Sequence, residues 1–175
     1  MSEQDELKLQ IGKEIPETIK AYLAGIVDGE GCIYMEFRRH KNKNGEITTR
    51  SSRINCVVTN SNPKIMAFLS EYYNGYVRIT KQQAMFHWKD RLNWTVAGKQ
   101  AKRFLTDILP YLLLKKEQAE IGLAVLKTSK RYGRRGRVSP SICEFRLQAK
   151  ERIKELNRRG KSPSEQAEVL LEKPK

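Results

Sequence analysis

Histidine and cysteine are both scarce in this chain, and neither is arranged for chemistry. Two histidines, His40 and His87, occur in 175 residues. Both fall in alternating stretches that read as strands, so no imidazole is placed as a general base. The three cysteines, Cys32, Cys56 and Cys143, are odd in number and far apart. They offer neither Cys-x-x-Cys metal spacing nor a disulfide framework. That usage points to an intracellular, reducing compartment (cytoplasm, nucleoid or organelle matrix) rather than secretion. Long apolar runs are missing as well, since none approaches the ~20 residues of a membrane span. The acidic, polar opening Met1-Ser-Glu-Gln-Asp-Glu is unlike a signal or transit peptide. No membrane partner is expected.

Negative charge is the other deficit. Lys and Arg number 34 against 20 Asp and Glu, a net charge of +14 with a pI near 9.8. Such an excess suits a polyanion, most often nucleic acid, although a merely soluble basic protein has the same sum. Hydrophobic content of 39%, with two Trp, seven Tyr and five Phe, argues against disorder. The length fits one domain with a real core.

What is present is organised around Ala21-Tyr-Leu-Ala-Gly-Ile-Val-Asp-Gly-Glu-Gly-Cys-Ile33. As a helix it has two unlike faces. Ile19, Tyr22, Leu23, Ile26 and Val27 make an apolar face that needs a core. Ala21, Ala24, Gly25 and Asp28 lie opposite, at a spacing that lets a second helix backbone approach closely. Gly29-Glu30-Gly31 should stop the helix, leaving Glu30 just past its C-terminus, where unsatisfied carbonyls carry partial negative charge. Asp28 and Glu30 add formal charge there, so the spot should attract a cation, and oxygen-only ligands suit Mg²⁺ best. The alternative is a capped helix with solvated carboxylates.

Residues 1–14 read as a flexible leader. After Gly31 the period switches to two: Ile33, Met35 and Phe37 point one way, Tyr34, Glu36, Arg38 and His40 the other. Asn44-Gly45 marks a hairpin turn. The return strand sets Ile54, Cys56 and Val58 against Ser51, Arg53, Asn55, Val57 and Thr59. A helix from Pro63 ends at Asn74-Gly75. Tyr76, Arg78, Thr80 and Gln82 share a face of a third strand. A fourth sets Leu92, Trp94 and Val96 against Lys89, Arg91, Asn93 and Thr95, with an irregularity expected near Asp90. Helices follow at 99–109, at 115–130 and from Ser139-Pro140, the last with Ile142, Phe145, Ala149, Ile153 and Leu156 on one stripe. The domain is expected over 15–160, and 161–175 is a tail in which Ser162-Pro-Ser-Glu165 caps a short helix. The fold class is therefore α+β, αββαββα with extra C-terminal helices. One four-stranded antiparallel sheet has its apolar face under the helices.

The sheet's other face carries Tyr34, Glu36, Arg38, His40, Ser51, Arg53, Asn55, Thr59, Tyr76, Arg78, Thr80, Gln82, Lys89, Arg91 and Asn93. Arg bonds guanine bidentately and Asn or Gln bonds adenine, so such a face can read base edges in a major groove. Any one of these residues also fits a solvated strand. Lys127 to Arg137, which includes Arg134 and Arg135, holds six basic residues in eleven and no acid. That density suits phosphate contacts, or a solubilising loop.

Leu23-Ala-Gly-Ile-Val-Asp-Gly-Glu-Gly31 resembles the motif that names the LAGLIDADG homing endonucleases. It matches at Leu23, Ala24, Gly25, Asp28 and Gly31, and conservatively at Ile26, Val27 and Glu30. Leu109-Pro-Tyr-Leu-Leu-Leu-Lys-Lys-Glu-Gln118 resembles the family's run leading to an active-site lysine and glutamine, which places Lys115 and Gln118 in those roles. Val58-Thr-Asn60 matches where the family carries Gln or Asn near the scissile phosphate, and Lys64 lies where a further basic side chain is usual. The resemblance implies a double-stranded DNA partner bound over a long site, with both strands hydrolysed across the minor groove to short 3′ overhangs, in support of intron homing. It implies Mg²⁺ (or Mn²⁺) held by Glu30 beside the Gly29 carbonyl, with Asn60, Lys64 and Lys115 ordering water and screening charge. Position 30 carries Glu where the family more often has Asp. Only one motif copy is present, whereas two strands need two carboxylates. A homodimer joined through the motif helices on a near-palindromic target is therefore expected. Two rival readings on the same fold are a non-cleaving DNA-binding protein and an RNA-binding intron maturase, for which the 127–137 loop would meet RNA.

Overall fold

The computed structural model describes residues 14–41, 47–81, 89–128 and 139–158, without the side chains of 38–41 and 47–51. Helix α1 (Glu17–Glu30) follows Pro16 and carries Glu17 in its first turn, where a carboxylate favours the helix dipole. It runs straight into strand β1 (Gly31–Lys41), which pairs antiparallel with β2 (Ile47–Asn60). Helix α2 (Pro63–Tyr73) starts with Pro63 in its first turn and is capped by the Asn62 side chain, which accepts from the Lys64 N–H at 3.0 Å. Strands β3 (Tyr76–Thr80) and β4 (Arg91–Ala97) complete an antiparallel sheet in the order β1-β2-β4-β3. Helix α3 (Lys99–Ile108), a 3-10 turn (Leu109–Tyr111), α4 (Lys116–Lys127) and α5 (Pro140–Leu156) follow. The architecture is the α+β class expected, with the helices over one face of a single four-stranded antiparallel sheet.

Period-two alternation places Ile33, Ile54, Cys56, Val58, Trp94 and Val96 on the covered face, all fully buried. Leu23 and Val27 of α1 and Phe104, Leu105 and Ile108 of α3 close over them. Trp94 anchors this layer. Its ring meets Phe104 edge-on at 5.2 Å, Phe104 meets Tyr73 at 4.7 Å, and its Nε1 donates to the Asn74 carbonyl at 2.5 Å. Gly75, at φ 97°, passes directly over that indole, so the turn there needs both the left-handed backbone and the missing Cβ.

Three expectations about faces need correction. α1 packs on α3 and the 3-10 turn as well as on the sheet, so its buried arc is wider than a two-face helix allows. Ala24, placed on the open stripe, is fully buried, whereas Tyr22, placed in the core, is 57% exposed and rests edge-on against Phe68 of α2. On α5, Phe145 is exposed and Arg146 takes its place inside, donating to the Thr128 hydroxyl and carbonyl. A register shift lies between Arg38 and Arg39, where Arg50 is the extra residue on β2, and β4 begins just after Asp90, pairing with β3 in unbroken register from Arg91. No described helix is long and apolar enough to cross a membrane. The 1–14 leader (apart from Glu14), the 129–138 loop with Arg134 and Arg135, Gln82, His87 and the 161–175 tail lie outside the described residues.

Candidate functional site

The last turn of α1 is where separate parts of the chain converge. Glu30 is its final residue rather than the first beyond it, and Gly31 caps the helix by donating its N–H to the Val27 carbonyl. Asp28 accepts from two backbone N–H groups, Leu113 at 2.8 Å and Lys115 at 2.9 Å. The Lys115 ammonium donates back to the Asp28 carbonyl. Asp28 thus clasps the segment between the 3-10 turn and α4, and Lys115 offsets the negative helix end. Glu30 and Gly29 stay exposed.

Glu30 opens into a cleft of about 430 Å³ that it shares with Thr59, Asn60, Ser61, Lys89 and Arg91. Strand pairing builds this wall: Asn60 ends β2 opposite Leu92, and Arg91 precedes Leu92 on β4. The Asn60 Oδ1 accepts from the Asn62 N–H at 2.8 Å, which leaves its amide hydrogens free to donate. Its described lining combines one carboxylate, one amide and two cations.

The donor set fits a hard divalent cation. Burial pushes the Cys56 thiol up to about 12, and partial burial also raises Cys32, with Lys115 opposing both. Neither presents a thiolate at neutral pH, so the ligands on offer are oxygens: the Glu30 carboxylate and unpaired carbonyls of the helix end. No cluster of three His, Cys, Asp or Glu occurs among the described residues.

Beside the cleft, the open face of the sheet forms a groove of about 640 Å³. Arg53, Tyr76, Arg78 and Thr80 are exposed along it. Thr59 donates to Asn93 at 2.7 Å, and Asn93 donates to Thr80 at 3.0 Å, a hydrogen-bonded row across β2, β4 and β3. The Tyr34 phenol is raised by burial first and by the Glu36 carboxylate second, so it remains a donor.

No protein-family profile and no curated protein matches the chain. Solved structures do. The homing endonuclease I-CvuI aligns with a TM-score of 0.63 at 23% identity, covering 83% of this chain and 85% of that one. The archaeal intron-encoded homing endonuclease I-Vdi141I aligns at 0.62 and 12% identity, covering 88% and 93%. The LAGLIDADG homing endonuclease I-GzeII aligns at 0.54 and 15% identity over 89% of this chain but 50% of its own. The chain has the LAGLIDADG homing endonuclease fold.

Within that fold the residues singled out by sequence fall into distinct groups. Glu30 and Asn60 meet in the cleft, with Gly29 exposed beside Glu30 on the last turn of α1. Lys115 reaches the helix end from the other side. Lys64 is exposed at the start of α2 and does not line the cleft. Gln118 is 5% exposed on the inner side of α4, its Oε1 without a partner among the described residues. Asn55, expected among the exposed donors, is 4% exposed on the groove floor, between Tyr34 of β1 and Ala97 of β4. Lys89 and Arg91, expected among the DNA-binding residues of the open face, line the cleft. The Asp28 clasp escaped the sequence because its partners lie 85 and 87 residues away. In the run Leu112-Leu-Leu114, Leu112 is buried whereas Leu113 and Leu114 are 87% and 75% exposed.

Proposed function

We propose that this chain is a site-specific DNA endonuclease. Two copies, joined through their motif helices, hydrolyse both strands of a near-palindromic duplex, an activity of the kind that supports intron homing. The observation that carries the reading is the meeting of Glu30, Asn60, Lys89 and Arg91 in one cleft at the edge of a donor-rich concave sheet. I-CvuI, which has this fold, is described in complex with the I-CreI target, not cleaved in 2 mM Mg, and in complex with its own target in 2 mM Ca. Ala21, Gly25 and Gly29 lie exposed along α1, and no atom stands within 4 Å of a Cβ built on either glycine, which suits the backbone of a second α1. The I-GzeII chain, half of which this chain covers, has the length for two copies of the fold.

When bound, a divalent cation would supply charge neutralisation at the attacked phosphate. Glu30 and the Gly29 carbonyl would hold it, one pair from each protomer. Asn60 donates its free amide hydrogens to a water or phosphate oxygen. Lys115 holds the helix end that presents Glu30. Arg53 and Arg78 hold purine edges, and the basic 127–137 segment meets phosphates. Unpaired Cys32, Cys56 and Cys143 suit a reducing compartment.

A pool of duplexes with randomised near-palindromic cores, incubated with the protein and Mg²⁺, tests this directly. Capture of cut ends is expected to return one family of cores cleaved in both strands. Glu30→Gln keeps size but removes the charge, so it should bind that duplex in Ca²⁺ and cut none of it. Full-rate cutting by Glu30→Gln, or no cleaved core from wild type, refutes the reading.

A further inference from the structure

We propose that Arg91 and Lys89 bind the scissile phosphate itself, serving as catalytic cations of the cleft rather than as readers of base edges. The inference rests on the nuclease reading above and deepens it. Among the described residues that line the cleft, Glu30 is the one anion against two cations, Lys89 and Arg91, a formal charge of +1 (two minus one). A phosphodiester therefore meets net attraction despite the carboxylate. The other candidate cations are placed elsewhere. The Lys115 ammonium is bonded to the Asp28 carbonyl, and Lys64 does not line the cleft.

Strand geometry fixes Arg91 where the role needs it. It pairs with Thr80 on β3, and its neighbour Leu92 pairs with Asn60 on β2. The guanidinium is thus tethered within one residue of the strand position facing Asn60. Arg91 and Lys89 are exposed, and neither side chain makes a hydrogen bond or ion pair among the described residues. In hydrolysis a water oxygen bonds to phosphorus while a bridging sugar oxygen leaves with the electron pair of its P–O bond. That oxygen takes up a proton and the water gives one up, so no further reactant is needed. Negative charge grows on the phosphoryl and leaving oxygens together. A planar guanidinium can hold two phosphoryl oxygens at once, and an ammonium can follow the leaving oxygen as a point charge.

Two measurements decide the matter. Binding of wild type, Arg91→Met and Lys89→Met to a random-sequence duplex is followed against salt in Ca²⁺. Each substitution is expected to lower the slope of log K on log salt by about one. Unchanged slopes in both overturn the phosphate contact, whatever the nuclease does. Single-turnover cleavage of the duplex returned by the pool is then compared across variants. Arg91→Met is expected to fall about 10²-fold or more, Arg91→Lys to recover part of that, and Lys64→Met to fall less. Melting temperatures near wild type exclude misfolding of these exposed sites. Equal losses in Arg91→Met and Lys64→Met overturn the assignment. Full-rate cutting by Glu30→Gln sinks only the nuclease reading, and the salt slopes still judge this one.

Discussion

Gly31→Ala should damage the fold even though the backbone at Gly31 is ordinary. Its φ of −89° and ψ of 160° are extended values open to any residue, so dihedral preference alone predicts no cost. The space does not allow it. A Cβ there would lie 2.5 Å from the Val27 carbonyl oxygen, 2.8 Å from its Cα and 2.9 Å from its Cγ1. Two of those three atoms are backbone, and Val27 is fully buried, so no rotamer change relieves the contact. Either the last turn of α1 unwinds or β1 moves away from the core. Overpacking of this kind costs ~1–3 kcal/mol, and with backbone on the other side the upper half of that range is expected. At about 2–4 °C per kcal/mol for a chain of this size, melting should fall by roughly 4–12 °C. Gly25→Ala is the internal control. No atom lies within 4 Å of its Cβ, and removing a mid-helix glycine gains ~0.5–1 kcal/mol. Scanning fluorimetry under conditions where sedimentation gives a monomer should therefore show opposite signs for two glycines of one motif. A Gly31→Ala protein that melts with wild type would refute the steric argument.

Other perturbations separate assembly, positioning and recognition. Gly25→Leu adds bulk to an exposed helix face, so sedimentation should show loss of the dimer with the monomer still folded. Asp28→Asn keeps one acceptor and turns an NH₂ toward a backbone N–H. It should cost ~1–3 kcal/mol in denaturant titration and slow cleavage, although Asp28 does not line the cleft. Arg53→Ala should relax base choice at particular positions, costing ~1–3 kcal/mol against the preferred duplex in competition binding. Equal loss on all sequences would make Arg53 a phosphate contact.

Element order was legible because the two periods are strong where they occur. Ile33, Met35, Ile54, Cys56, Val58, Trp94 and Val96 alternate without a break, and all are buried. The α1 wheel failed at Ala24 and Tyr22 for a different reason: amphipathicity locates one partner, and this helix has several. Which strand lies beside which could not be read at all. The order β1-β2-β4-β3 puts Asn60 beside Leu92 and so brings Arg91 to Glu30. That long-range pairing brings Arg91, one of the expected DNA-binding residues, to the cleft. Asn55 shows the limit of face parity. It faces the open side as alternation requires, yet a concave sheet hides its floor.

The motif is recognisable in so diverged a chain because one helical turn meets unlike constraints at successive residues. Each residue turns 100° from the last. Val27 must fill the core, Asp28 must reach the Leu113 and Lys115 N–H groups, and Gly31 must clear Val27. Glu30 must stay open to the cleft. Few substitutions satisfy one of these demands without failing its neighbour less than a turn away. On the sheet the demands are looser. An outward residue need only be polar and long, and an inward one apolar and of fitting size, so the letters drift while the alternation persists. Identities of 12–23% to structures of the same fold are what that division of constraint produces. Under the nuclease reading proposed above, target choice would lie on the outward strand positions, which can change without disturbing the turn that presents Glu30.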